Sequence, residues 1–322
     1  SCAIPSVPLT EAVMEELQAA VAACVMGLAE VDSLNSLVRK GLPFAAVRVM
    51  RGLVAYAQQV DGRMNPWLMR KVLRHNPAVA VHLWNMLDAV HNPAYADHAR
   101  AKLVQQVESK IHDVWSALTD VEHDRMASLL LEIVRATVRM NFWQEDGAAL
   151  AFKFDCAKMP SLPTPRPWRE MFVYGDAAFE GVHLRGGPIA RGGIRHSDRL
   201  ADYRTEVLGL QQTQVRKNVI IVPTGAKGGF VVKAPLPPKR EAAQTLIRTV
   251  YAGYIRGMLS LTDNRVGDKV VPPRNVVRVD GDDPYFVVAA DKGTATFSDL
   301  ANDTAIEADF WDMPKGAKQQ GF

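Results

Sequence analysis

The 322 residues, 48% hydrophobic and 23% charged, suffice for two ordinary domains with their own cores, and they exclude disorder, collagen or coiled coil for the chain as a whole. A net charge of +3 does not by itself argue for nucleic acid, and the longest uncharged apolar stretch near the start, Leu17 to Ala29, is shorter than the roughly 20 residues of a membrane span. Cys2, Cys24 and Cys156 are odd in number, far apart and without a C-x-x-C pair, which points away from disulfides or a zinc knuckle and toward a reducing cytoplasm.

The opening Ser-Cys-Ala-Ile-Pro has no basic stretch before an apolar core, so no secretory signal is read, and the sequence is expected to begin within a longer protein. Residues 10 to about 145 read as successive helices. Apolar residues recur at three- and four-residue steps over Thr10 to Val38, Pro43 to Val60, Ala78 to Val90 and Ala94 to Leu118, with breaks at Gly41-Leu42-Pro43, Asn76-Pro77 and Asn92-Pro93. Asp120 to Phe142 is the clearest helix, with Met126, Leu129, Leu130, Ile133, Val134 and Val138 on one face and a capping box from Thr119 and Glu122. No fixed repeat period indicates a solenoid.

From about Ala148 the pattern changes. Ala149 to Phe154 and Met171 to Tyr174 read as strands around a loop punctuated by Pro160, Pro163, Pro165 and Pro167. Val182-His183-Leu184 alternates into a turn at Gly186-Gly187-Pro188. Ser197 or Asp198 then caps a helix with Leu200, Tyr203, Val207 and Leu210 inward. Val219 to Val222 reads as a buried strand, Lys239 to Met258 as a helix with Leu246, Ile247, Val250 and Tyr254 inward, and Tyr285 to Ala290 as another buried strand. The reading is an all-α helical domain over 1–147, an α/β domain with a largely parallel or mixed sheet over 148–302, and a divergent C-terminal tail over 303–322.

Between Arg185 and Lys233, nine Lys/Arg stand against three acids, so this segment expects an anion. Within it, Lys227 lies between Gly225 and Gly228-Gly229, where no bulky neighbour obstructs a ligand. It is a candidate base; otherwise it is a solvated lysine in a Gly-rich turn. Arg191, beside Gly192-Gly193, offers a planar fork for a carboxylate, while Arg195 is as well suited to an internal pair. Lys217 stands at a helix end, where the dipole alone would favour a cation. Asp291 follows an apolar strand, where open α/β sheets place ligands, or it caps a helix starting near Thr294 to Ser298. There is no G-x-G-x-x-G, P-loop, H-E-x-x-H or G-x-S-x-G, and His75, His82, His91 and His98 read as ordinary surface or core residues without a metal role.

The block Gly181 to Arg195, then Ser197-Asp-Arg, Tyr203 to Leu210, Val219 to Val231 and Asp280 to Asp299 closely resembles the large bacterial NAD-specific glutamate dehydrogenases. The resemblance reaches back through Leu129 to Phe142 and Ala149 to Phe154. It implies oxidation of L-glutamate with NAD and water to 2-oxoglutarate and ammonia in a cytoplasmic homo-oligomer, with no nucleic-acid or membrane partner. By that resemblance Lys227 activates water and polarises the developing carbonyl. Lys217 binds the α-carboxylate, Arg191 the side-chain carboxylate, and Asp291 exchanges a proton with the substrate nitrogen. His196 stands where the large enzymes tend to have Trp. Beyond Asn302 the sequence departs from the family, and the Rossmann domain expected to follow is missing. The expectation is therefore a fragment holding the substrate half of the site and not turning over alone. The alternative is a noncatalytic module that senses a dicarboxylate or binds a partner protein. Nucleic-acid binding ranks last, because the cations are threaded among glycines and not arrayed with stacking aromatics.

Overall fold

The computed structural model describes residues 10–27, 29–144, 149–217, 222–291 and 297–310, with the backbone alone at Lys217, Ala290 and Ser298. The chain divides into two compact units, Ser1–Thr137 with Phe154–Arg166 and Val138–Lys153 with Pro167–Phe322. Among the described residues no helix is long and apolar enough to cross a membrane.

The first unit is helical. Thr10 caps α1 (Glu11–Val25), which stops where Gly27 takes φ +70°, a left-handed conformation that ends helices. The pattern expected to continue to Val38 resumes only as a 3₁₀ turn over Ser33–Lys40, because Asp32 caps it while the buried Arg51 binds Asp32, Asn35 and the Glu30 carbonyl. Gly41, at φ +89°, closes that turn. Then come α2 (Phe44–Val60), α3 (Pro66–His75), α4 (Pro77–His91), α5 (Asp97–Glu108), α6 (Ile111–Ser116) and α7 (Val121–Ala136). The sequence reading did not single out α3, which Asn65 caps with Pro66 at its first position, and it ran α5 and α6 together. The cap of α7 is Asp120, not Thr119: one carboxylate oxygen accepts from the Glu122 and His123 amides. Leu37, Val47, Met50, Leu53, Leu73, Leu83 and Ile133 are within 1% of full burial. A cleft of about 410 Å³ lies in this unit, lined by Asp61, Arg63, Arg125, Glu132 and Ser161 among others.

The second unit is a sheet with helices on both faces. Its strands are β1 (Thr137–Met140), β2 (Leu150–Asp155), β3 (Arg169–Gly175), β4 (Phe179–Arg185), β5 (Ala190–Ser197), β6 (Thr224–Val232) and β9 (Val287–Ala290), in the order β1-β2-β3-β4-β6-β5-β9. β3, β4 and β6 run antiparallel in turn, whereas β5 is parallel to both β6 and β9, so the sheet is mixed. The helices are α8 (Tyr203–Lys217), α9 (Arg240–Leu259) and α10 (Ser298–Glu307), and β7 (Asn264–Val266) pairs with β8 (Lys269–Val271) as a hairpin. Successive residues of a strand face opposite ways. On β6 a Cβ at Gly229 would lie 2.4 Å from Val207 of α8, and one at Gly228 would lie 3.0 Å from the Tyr254 hydroxyl of α9. The two helices therefore cover opposite faces. Under α9 the core joins Val173, Phe179, Ile194, Phe230, Val250, Tyr251, Tyr254, Ile255 and Met258.

Several sequence expectations give way here. Residues 137–140 are strand, not the end of the helix expected to reach Phe142; β-branched Thr137-Val138 suits a strand, and fully buried Arg139 finds its partners in the second unit. The sequence put one boundary near 148, whereas β1 belongs with the sheet and 154–166 returns to the helices. The Gly-rich stretches around Arg191 and Lys227 are the strands β5 and β6, not turns. Residues 219–221 of the strand expected over Val219 to Val222 lie outside the described residues, and Val222 is exposed. Neither Ser197 nor Asp198 caps α8: Ser197 ends β5, and Leu200 is 41% exposed beside the Arg199–Asp202 pair, while Tyr203, Val207 and Leu208 are buried and Leu210 half-buried.

Candidate active site

Three parallel strands assemble the site. In the β5–β6 register Ile194 faces Gly228, which sets Gly193 opposite Lys227; in the β5–β9 register Gly193 faces Ala289, two residues before Asp291. Gly193, Lys227 and Asp291 thus share one face of the sheet, the face of Gly229 and α8. Asp291 leaves β9, crosses over β5 and receives a hydrogen bond from Lys227 Nζ on β6 at 2.9 Å. Gly193 permits the crossing, since a Cβ there would come within 2.7 Å of the Asp291 Cβ. Both charged side chains keep about a fifth of their surface exposed, 21% and 22%, so the pair is sheltered yet reachable. Asp291 does not cap α10, whose N-cap is Phe297. The helix expected to start near Thr294 to Ser298 begins at Ser298, and residues 292–296 lie outside the described residues.

Arg195 adds a third charge. Its Nη1 donates to Glu206 Oε1 at 2.7 Å, and its Nη2 stops 3.8 Å from Asp291 Oδ1. Arg191, two pairs of residues earlier on the same face of β5, is exposed, and among the described residues its side chain makes no ion pair; its carbonyl accepts from Gln214 of α8. The Lys217 side chain lies outside the described residues, and the backbone places it as the last residue of α8. His196 turns to the opposite face against Phe230, with ring centroids 5.3 Å apart, and burial pushes its pKa down. Its difference from the family's Trp therefore falls away from the Lys227 face. Among the described residues, six of the cations between Arg185 and Lys233 pair with acids in this unit.

The sequence reading missed a buried charge network that sets the approach to β9. Arg139 holds Asp263 and Asp280 at 2.9 and 2.6 Å, Lys153 holds Asp280 and Asp283, and Arg185 holds Asp283 at 2.6 Å while bonding the Pro188 carbonyl. Burial pushes the Asp283 carboxyl up, but Lys153 and Arg185 outweigh it and hold it below the usual range. His183 is buried beside them with neither ring nitrogen hydrogen-bonded among the described residues, and burial, reinforced by Arg185, pushes its pKa down to about 3. A second buried pair joins Arg204 of α8 to Glu170 of β3 at 2.7 Å. The signal in the sequence was a lone lysine or arginine inside an apolar strand, as in Leu150-Ala-Phe-Lys-Phe154, upstream of the acidic Asp280-Gly-Asp-Asp283. No cluster of metal-binding type occurs among the described residues.

Residues 110–317 match the family described as bacterial NAD-glutamate dehydrogenase, catalytic domain, and residues 29–93 match glutamate dehydrogenase, helical motif 3. The first match enters the stretch 303–322 that the sequence reading set apart as divergent. The NAD-specific glutamate dehydrogenase of Pseudomonas aeruginosa is 42% identical over 92% of this chain and 19% of its own length. That of Mycobacterium tuberculosis is 40% identical over 95% of this chain and 20% of its own. That of Halomonas elongata is 41% identical over 88% and 18%. This chain thus spans about a fifth of the length of the curated relatives it matches. The paired lysine and aspartate on a glycine-cleared face, the strand motifs that carry them and these matches together place the chain in the bacterial NAD-glutamate dehydrogenase family.

Proposed function

We propose that this chain supplies the substrate side of an NAD-dependent glutamate dehydrogenase, which converts L-glutamate, NAD and water to 2-oxoglutarate, ammonia and NADH. The observation that carries this reading is the 2.9 Å Lys227–Asp291 pair, formed by groups 64 residues apart on a face cleared by Gly193. NAD would supply the hydride acceptor for the substrate Cα. The 322 residues contain no G-x-G-x-x-G turn, so those described here do not account for holding the coenzyme.

In this reading each residue has one task. Arg191 and Lys217 take the two carboxylates of the substrate, which fixes the Cα over the sheet. Asp291 takes a proton from the substrate ammonium and returns it to the departing nitrogen. Lys227, with Asp291 beside it, orients the water that attacks the substrate imine and stabilises negative charge on the developing carbonyl oxygen. Among the described residues Cys24 and Cys156 form no disulfide, which accords with a cytoplasmic location. Calorimetric titration with 2-oxoglutarate or glutarate tests the assignment: the chain binds weakly, and Arg191→Ala and Lys217→Ala each abolish the heat. Equal affinity in all three proteins overturns it.

A further inference from the structure

Arg195 and Lys227 compete for one carboxylate. A guanidinium can engage Asp291 through both of its oxygens, a stronger arrangement than the single bond available to an ammonium. Yet Lys227 holds Asp291 Oδ2 at 2.9 Å, while Arg195 stays 3.8 Å from Oδ1, beyond the roughly 3.2 Å reach of an N–H···O bond. What keeps Arg195 back is on α8. Glu206 Oε1 accepts from Arg195 Nη1 at 2.7 Å, and Glu206 is itself held by the Ser197 hydroxyl, which donates to Oε2 at 2.9 Å. Ser197, 5% exposed, ends β5 and accepts from the Arg199 amide, so the restraint is anchored in the same strand that carries Arg195.

We infer that Glu206 is a positioning residue: by engaging Arg195, it leaves Asp291 paired with Lys227. This rests on the functional reading for its consequence in catalysis, but not for its geometry. Arg195 remains 3.8 Å from Asp291 without displacing the lysine from it. Nothing in the sequence distinguishes Glu206 from any other acid in the first turn of a helix; the assignment comes from the distances.

The test is the Glu206→Ala variant, with Glu206→Gln as a milder replacement and thermal melts to establish that both fold. Crystal structures are expected to show Arg195 closing onto Asp291 to within hydrogen-bond distance and Lys227 displaced from it. The double variant Glu206→Ala with Arg195→Met is expected to restore the Lys227–Asp291 contact. In the protein that carries this chain together with its coenzyme-binding part, Glu206→Ala is expected to lower kcat for glutamate roughly 10- to 100-fold, with KM changed less than about twofold and part of kcat recovered in the double variant. If Arg195 and Lys227 keep their distances in a folded Glu206→Ala variant, the inference is overturned whatever the activity. If Arg195 moves but Lys227→Ala leaves both 2-oxoglutarate binding and turnover unchanged, the positioning stands and the functional reading falls.

Discussion

Lys227 and Asp291 meet because a third residue has no side chain. Replacing Gly193 by Ala places a Cβ 2.7 Å from the Asp291 Cβ, a separation real carbons do not tolerate, so Asp291 must move off Lys227. We expect Gly193→Ala to cost about 1–3 kcal/mol of stability, as overpacking does, and to weaken 2-oxoglutarate binding at least severalfold; unchanged calorimetric affinity would contradict the geometry. His183 supports a prediction of a different kind. Its folded pKa of about 3 lies below the ordinary histidine value of 6.5, so between those values the unfolded chain takes up a proton that the folded one refuses. That contribution is therefore complete above pH 6.5 and is lost as the pH falls toward 3, at about 1.4 kcal/mol per pH unit. In urea denaturation, His183→Leu should gain on the parent protein by about 2 kcal/mol between pH 7 and pH 5; parallel curves would show that His183 is not held neutral.

At the scale of elements, β5 and β6 are strands that local propensity argues against. Gly192-Gly193 and Gly225, Gly228 and Gly229 are poor strand formers, and read alone they signal turns. They form strands because close neighbours leave no room for side chains: Gln214 and Val207 of α8 over Gly225 and Gly229, Tyr254 of α9 over Gly228, the Ala226 backbone beside Gly192 and Asp291 over Gly193. The sequence does not display which neighbour will lie over which glycine, and so β5 and β6 are not legible as strands from local propensity. The regular helices were legible because their apolar periodicity is local: α2, α4 and α9 lie within a residue or two of their expected bounds. The buried network belongs to this scale too, since it ties β1, β2 and β4 to the loop before β9. Replacing Arg139, 0% exposed, by Met leaves Asp263 and Asp280 buried with a lost partner and should cost about 3–5 kcal/mol in urea denaturation. Replacing Arg135, whose pair with Glu108 is 45% and 37% exposed, should cost less than about 1 kcal/mol. Equal costs for the two would mean that the network is hydrated.

For the whole molecule, the informative fact is that the two units are not two consecutive stretches of chain. Residues 138–153 belong to the sheet unit and 154–166 to the helical one. A polypeptide cut at the sequence-derived boundary, starting at residue 148, lacks β1 and Arg139, whereas one starting at 138 keeps them. We expect the 138–322 chain to unfold cooperatively and at higher urea than the 148–322 chain by circular dichroism; identical midpoints would show that β1 contributes nothing to the second unit. The sequence by itself determined the family, a helical half ahead of a mixed α/β half, and the candidate residues Arg191, Lys217, Lys227 and Asp291, because periodicity and motif are carried by neighbours along the chain. Only the tertiary structure decided that the glycine-rich segments are strands, that Lys227 and Asp291 touch, that Glu206 restrains Arg195, and that six buried charges neutralise one another. Each of those depends on strand register and on contacts between residues distant in sequence, where the energy of close approach overrides what any local segment would prefer.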